Sequence, residues 1–206
     1  MTIPLFSTKQ RILGAAEELF ARHGFAGASL RQVTSAAQVN LAAVNYHFGS
    51  KENLVNEVFR RRLDALNTAR LGALTEARAR PGYSLDDTLD AFVRPALALT
   101  GDDHGGTAFV RVLARAYAEH NERLRKFLHD NYSHVLKEFA ADFSKFLPHL
   151  DKQELYWRLD IISGALTYAM ADFGIIKRRG VSEAQHRDLA ARHLVKFAAA
   201  GLMAPV

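Results

Sequence analysis

The chain has 206 residues, 49% hydrophobic and 24% charged, the balance of a globular protein rather than of a disordered or membrane-embedded one. It contains no cysteine, which excludes disulfides, thiolate nucleophiles and cysteine-ligated metals and suits a reducing cytoplasm, its expected location. The net charge of +5 is unevenly placed: residues 1–80 hold eleven Lys or Arg against six Asp or Glu, whereas residues 81–206 hold sixteen of each. A basic first part joined to a neutral remainder points to a polyanion as partner of the first part.

Nearly every segment reads as helix. Ile12, Ala15, Ala16, Leu19 and Phe20 form one apolar stripe at helical spacing, with Ser7 and Gln10 as a capping pair and Gly24 as a stop. Ser29 with Gln32 opens a second, short helix that ends near Ala36-Ala37-Gln38. Asn40 caps a third, Leu41 to His47, which Phe48-Gly49 breaks. Ser50 caps a fourth, from Lys51 to about Ala79, before the break at Pro81-Gly82. Further helices are expected at about 84–99, 105–119, 121–146, 152–178 and 183–203. No stretch alternates with period two, so the expected class is all-α with about nine helices. Met1 to Ser7 carries no export signal, and the longest stretch free of Lys, Arg, Asp and Glu, Gln32 to Ser50, is too polar to span a membrane.

Two short helices joined by a tight turn, Ser29–Ala36 and Asn40–His47, have the size of a helix-turn-helix. Val33, Ala36, Val39 and Val44 are expected to wedge them together. The second helix then presents Leu41, Ala42, Asn45 and Tyr46 outward, where small apolar groups meet thymine methyls and amides pair with base edges. Ser29, Tyr46, His47 and Lys51 are placed to donate to phosphates, and the amides at the start of the fourth helix offer another phosphate site. Arg60-Arg61-Arg62 lies too far along that helix for a phosphate clamp and reads as a solvated face or as ion-pair partners.

The run from Gln10 through Phe59 resembles the DNA-binding domain of the TetR family of repressors. The likeness is carried by Ile12-Leu13-x-Ala15-Ala16-x-x-Leu19-Phe20, Gly24-Phe25 and Val39-Asn40-x-x-x-Val44-x-Tyr46-His47-Phe48-x-Ser50-Lys51-x-x-Leu54. It implies that Arg31, Leu41, Ala42, Ala43 and Tyr46 reach bases while Ser29, His47 and Lys51 hold phosphates. Asn45 stands where that family usually has an aromatic residue, so it either reads a base or packs differently. The resemblance also implies two domains: a three-helix helix-turn-helix domain over 1–54, and a helical bundle for ligand binding and dimerisation over 55–206. The run Val39 to Lys51, with Leu124 to Leu128, Tyr156-Trp157-Arg158 and Gly164-Ala165, is similar to the PsrA-like, fatty-acid-responsive branch. That likeness implies a long-chain fatty acid or its coenzyme A thioester as an effector that frees the protein from DNA.

In the second half, Phe92, Phe109, Leu113, Tyr117, Tyr132, Phe139, Phe143, Trp157 and Phe173 either form ordinary bundle core or line an elongated apolar cavity. Arg111, Arg115 and His104 would then meet an acidic headgroup at its mouth. The last two helices carry small residues, Gly164, Ala165, Ala169, Ala190, Ala198 and Gly201, that let helices approach closely. By family resemblance they form the interface of a homodimer reading a palindromic operator on double-stranded DNA. His129 with His134, and His186 with His193, lack the spacing that puts two imidazoles on one helix face, so no metal and no cofactor is expected. An acyl-thioester-binding enzyme is the rival reading, but the chain has no Gly-x-Ser-x-Gly elbow and no Gly-rich phosphate loop. A DNA-binding protein without any small-molecule ligand is the third.

Overall fold

The computed structural model describes residues 7–101, 106–119, 121–171 and 180–205, without the side chains of Thr107 and Tyr117. Among them are nine helices and no strand: α1 Thr8–Gly27, α2 Leu30–Ala37, α3 Leu41–Phe48, α4 Lys51–Arg78, α5 Leu85–Leu99, α6 Gly106–Ala118, α7 Glu122–Phe146, α8 Lys152–Met170 and α9 Glu183–Met203. The all-α expectation therefore stands. The eighth helix ends at Met170 rather than running on, and the rest of its expected length, 172–178, lies outside the described residues.

Local chemistry explains the helix starts. Ser7 Oγ accepts from the Gln10 amide at 3.2 Å while Gln10 Oε1 accepts from the Ser7 amide at 2.9 Å. Ser29 and Gln32 repeat the reciprocal pair, and so do Ser84 with Asp87 and Ser182 with Gln185. Asn40 Oδ1 accepts from the Ala43 amide at 2.9 Å, and Ser50 Oγ from the Asn53 amide at 3.1 Å. Each cap contributes about 1 kcal/mol by satisfying an amide the helix leaves open. Gly24, with φ 74°, turns the chain out of the straight part of α1.

The chain divides into two compact units: Met1–Asp64 with Asp103–Asp130, and Ala65–Asp102 with Asn131–Val206. The first unit takes in residues beyond the expected boundary at 54, and within it α6 packs along α1. The reason is a shared aromatic core. Phe20 meets Phe25 at 5.6 Å, Phe25 meets Phe59 at 6.2 Å, and Phe59 meets Phe109 of α6 edge-on at 5.5 Å. All four are buried, and burying one such ring stabilises by about 1.5–3 kcal/mol.

The first unit also buries an ion pair. Arg62 Nη2 donates to Glu17 Oε1 at 2.8 Å, with the side chains 6% and 3% exposed. Burial pushes the Glu17 carboxyl up, against the opposing pull of Arg62. Of the Arg60-Arg61-Arg62 run, Arg62 is thus an internal partner, while Arg60 pairs with Glu57 and stacks on Phe127 at 5.1 Å. In the second unit α5 packs along α9 and α8, and Phe92 meets Phe139 edge-on at 5.2 Å. There Asp142 of α7 is fully buried and accepts from Arg78 Nε at 2.8 Å, from the Tyr83 hydroxyl at 2.6 Å and from Lys145.

Candidate nucleic-acid interface

The α2–α3 pair is built by its inward side chains. Val33, Thr34 and Ala37 of α2 are buried, as are Val44 and Phe48 of α3. Ala36, expected among the wedging residues, is exposed; Ala37, one position on, faces inward in its place, and Val39 is half-buried. The shift follows from helical period: with Val33 inside, the fourth residue along returns to the same face. Between the helices Gln38 takes a left-handed conformation, φ 53°, ψ 49°, and Asn40 starts α3.

Seating Val44 and Phe48 inward turns the other face of α3 out. Leu41 is 44% exposed, Tyr46 is 86% exposed, and Ala42 and Asn45 are exposed beside them. These four positions, i, i+1, i+4 and i+5, form one stripe two turns long, the size of surface that a recognition helix offers to a groove. Ala43 and His47 flank it, half-buried, and Tyr46 meets His47 edge-on at 5.1 Å. Asn45 is on the outward stripe rather than packed within. Arg31 is exposed on α2. The Ser29 hydroxyl donates to Gln32 Oε1 at 2.9 Å, so offering it to a phosphate means giving up that local bond. Lys51 is half-buried, and its Nζ reaches the Ala26 carbonyl at 3.5 Å.

Sequence reasoning passed over Asn53, whose Nδ2 donates to the Phe48 carbonyl at 3.0 Å and so ties the end of α3 to the first turn of α4. Asn five residues past a Phe-Gly stop was the available signal.

The expected ligand-lining residues fall in both units. Phe109, Arg111 and Leu113 belong to the first unit, while Phe92, Tyr132, Phe139, Phe143 and Trp157 belong to the second. Phe109, Phe139 and Phe143 are 0% exposed and Phe92 5%, which makes them close-packed core. Trp157 is 60% exposed, Arg111 is exposed, and Arg115 Nη2 donates to the Arg22 carbonyl at 3.1 Å. The Tyr117 side chain, His104 and Phe173 lie outside the described residues.

Of the small residues expected at a dimer interface, Gly164 and Gly201 are exposed, with open space where a Cβ would stand, and Ala165, Ala169 and Ala190 are half-buried. Ala198 is 1% exposed and packs inside the unit. The larger signal on these helices was missed. Trp157, Ile161 and Tyr168 stand out from α8 at 60%, 64% and 53% exposure, and Phe197 from α9 at 69%. α8 is apolar on two faces, since Leu155, Leu159, Ile162 and Leu166 fill the inward one.

Residues 12–58 match the family described as bacterial regulatory proteins, tetR family, and residues 90–201 the family described as tetracyclin repressor-like, C-terminal domain. The HTH-type transcriptional repressor NicS of Pseudomonas putida is 36% identical over 136 residues, 66% of this chain and 57% of that protein. Across six curated relatives the matched part is between 20% and 62% of the relative's own length, under two thirds in each. Among solved structures, a TetR-like regulator from Rhodococcus sp. RHA1 is similar with a TM-score of 0.64 at 21% identity, covering 99% of this chain and 100% of that one. The fatty acid degradation regulator FadR from Bacillus halodurans is similar with a TM-score of 0.65 at 16% identity, covering 94% and 97%. At those identities the likeness shows a shared fold.

Proposed function

This chain belongs to the TetR family of bacterial transcriptional regulators, and from that premise we propose that it is a homodimeric repressor that reads a palindromic operator in the cytoplasm. The observation that carries the proposal is the outward stripe of α3, Leu41, Ala42, Asn45 and Tyr46, held up by buried Val44 and Phe48. Entering the major groove, Leu41 and Ala42 meet thymine methyls, Asn45 pairs with a base edge, and Ala43, Tyr46 and Arg31 complete the base contacts. Ser29, His47 and Lys51 hold phosphates on either side and set register.

The apolar residues standing out from α8 and α9 support pairing with a second copy. Two-fold symmetry then spaces the reading helices about 34–36 Å apart, one turn of DNA, or a multiple of it. The effector in this proposal is a long-chain fatty acid or acyl-coenzyme A. Its support is the likeness of Val39 to Lys51 to the fatty-acid-responsive branch. An effector that binds one state ten- to a hundredfold more tightly changes DNA affinity by about 1.4–2.7 kcal/mol.

The test is fluorescence anisotropy against the DNA flanking the protein's own gene, with and without oleoyl-coenzyme A, at several salt concentrations. Tight, salt-sensitive binding that the thioester abolishes is the expected result. Tight binding indifferent to the thioester keeps the repressor and removes this effector. Absence of binding there and at a family-typical palindrome overturns the proposal.

A further inference from the structure

The α2–α3 turn is gripped from outside by one side chain. Arg11 of α1 donates through Nε and Nη2 to the Ala37 carbonyl, at 3.1 and 2.9 Å, and through Nη2 to the Gln38 carbonyl at 2.7 Å. Two consecutive peptide planes thus face one edge of one guanidinium. The neighbouring carbonyls are met locally: Thr34 accepts from the Val39 amide at 3.0 Å and Ser35 from the Gln38 amide at 3.2 Å. The Ala37 and Gln38 carbonyls lie past these at the end of α2, and Arg11 takes both.

This place in the turn is sensitive. Gln38 is the single non-glycine residue with positive φ among the described residues, and a left-handed conformation there costs on the order of 1 kcal/mol. The connection from α2 to α3 is three residues long, so the tilt of those two peptide planes sets the direction in which α3 leaves. Asn40 and Asn53 hold α3 by bonds to residues within five positions; Arg11 reaches the turn across 26 residues of sequence. A lysine has three donors on one nitrogen at the end of a flexible stem, so it cannot reproduce the fixed planar geometry with which a guanidinium holds two carbonyls.

We propose that Arg11 is a positioning residue for sequence recognition: its guanidinium fixes the Ala37 and Gln38 peptide planes and with them the angle at which α3 presents its outward stripe. The proposal rests on the reading of the chain as a DNA-binding repressor. It differs from a phosphate contact by Arg11, which would lend affinity to every DNA alike.

The decisive variant is Arg11→Lys, which keeps the charge and loses the fork. Wild-type protein selects its palindrome from a random-sequence pool, and binding is then measured to that duplex and to a scrambled duplex of equal length over a salt series. Arg11→Lys is expected to lose about tenfold on the selected duplex, the size of one mismatched base pair, with scrambled-duplex affinity and salt slope unchanged. Equal loss on both duplexes in Arg11→Gln, rescued by Arg11→Lys and accompanied by a salt slope lower by about one, would assign Arg11 to a phosphate and overturn the proposal. Arg11→Lys indistinguishable from wild type on the selected duplex overturns it as well. Amide hydrogen exchange of the free protein supplies a readout independent of DNA. Residues 38–43 should exchange faster in Arg11→Lys and Arg11→Gln while the amides of α1 keep their rates; unchanged rates at the turn overturn the grip itself. A wild-type protein that enriches no sequence fails the repressor reading, whereas an enriched palindrome with no Arg11 effect fails the inference alone.

Discussion

Asp142→Asn perturbs one carboxylate whose surroundings give a magnitude. Burial pushes the Asp142 carboxyl up, but the hydrogen bonds from Arg78, Lys145 and Tyr83 outweigh it and bring the group from 3.8 down to about 2. A depression of this size corresponds to about 2 kcal/mol, at about 1.4 kcal/mol per pH unit. Because the folded value lies below the unfolded one, the stabilisation is fully present above about pH 4–5 and is lost as pH falls through about 2. Asp142→Asn should therefore cost about 2 kcal/mol at pH 7, a drop of about 4–8 °C in Tm for a chain of this length. Urea unfolding of wild type and variant, followed by circular dichroism at pH 7, 5 and 3, measures the difference directly. The gap should be full at pH 7 and pH 5 and clearly smaller at pH 3. A gap as wide at pH 3 as at pH 7 would refute the electrostatic origin and leave only packing. Tyr83→Phe, which removes one of the three donors, should cost about 1 kcal/mol and narrow the same way.

Three further outcomes follow from the packing. A Cβ at Gly24 would run into Glu119 Oε1, at a φ of +74°, so Gly24→Ala should destabilise by about 1–3 kcal/mol. Glu119 also accepts from the Phe25 amide at 3.1 Å, and the double variant Gly24→Ala/Glu119→Ala should cost less than the sum of the singles in a thermal-melt cycle; simple additivity would refute the clash. Arg62→Met strands Glu17 in the core and should cost about 3–5 kcal/mol in chemical denaturation, with most of it regained in Arg62→Met/Glu17→Met. A double variant as unstable as Arg62→Met would show that the pair itself is not the cause. Trp157→Asp with Phe197→Asp should turn a dimer into a monomer in sedimentation velocity and weaken operator binding; a dimer that persists would refute α8 and α9 as the joining helices.

What the sequence alone determined was whatever short-range chemistry decides. Ser7, Ser29 and Asn40 cap helices through bonds spanning three residues, so their neighbours in sequence are their partners in space. The outward stripe of α3 was legible for the same reason, since two inward residues at i and i+4, Val44 and Phe48, dictate which side of eight residues faces out. The tertiary structure alone decided the rest, where a residue's role depends on what folds back upon it. Phe92, Phe109, Phe139 and Phe143 read equally as pocket or as core, and only packing made them core and divided them between two units. Ala198 looks like Gly201 as a small residue on α9, yet one is buried and the other open, because α9 offers one face to its own unit. Arg62 finds Glu17 across 45 residues and Arg11 finds Ala37 across 26. An arginine carries the same charge whether it is solvated, paired or wrapped around a peptide, and which of these it becomes is set by chain segments that meet only once the core has closed.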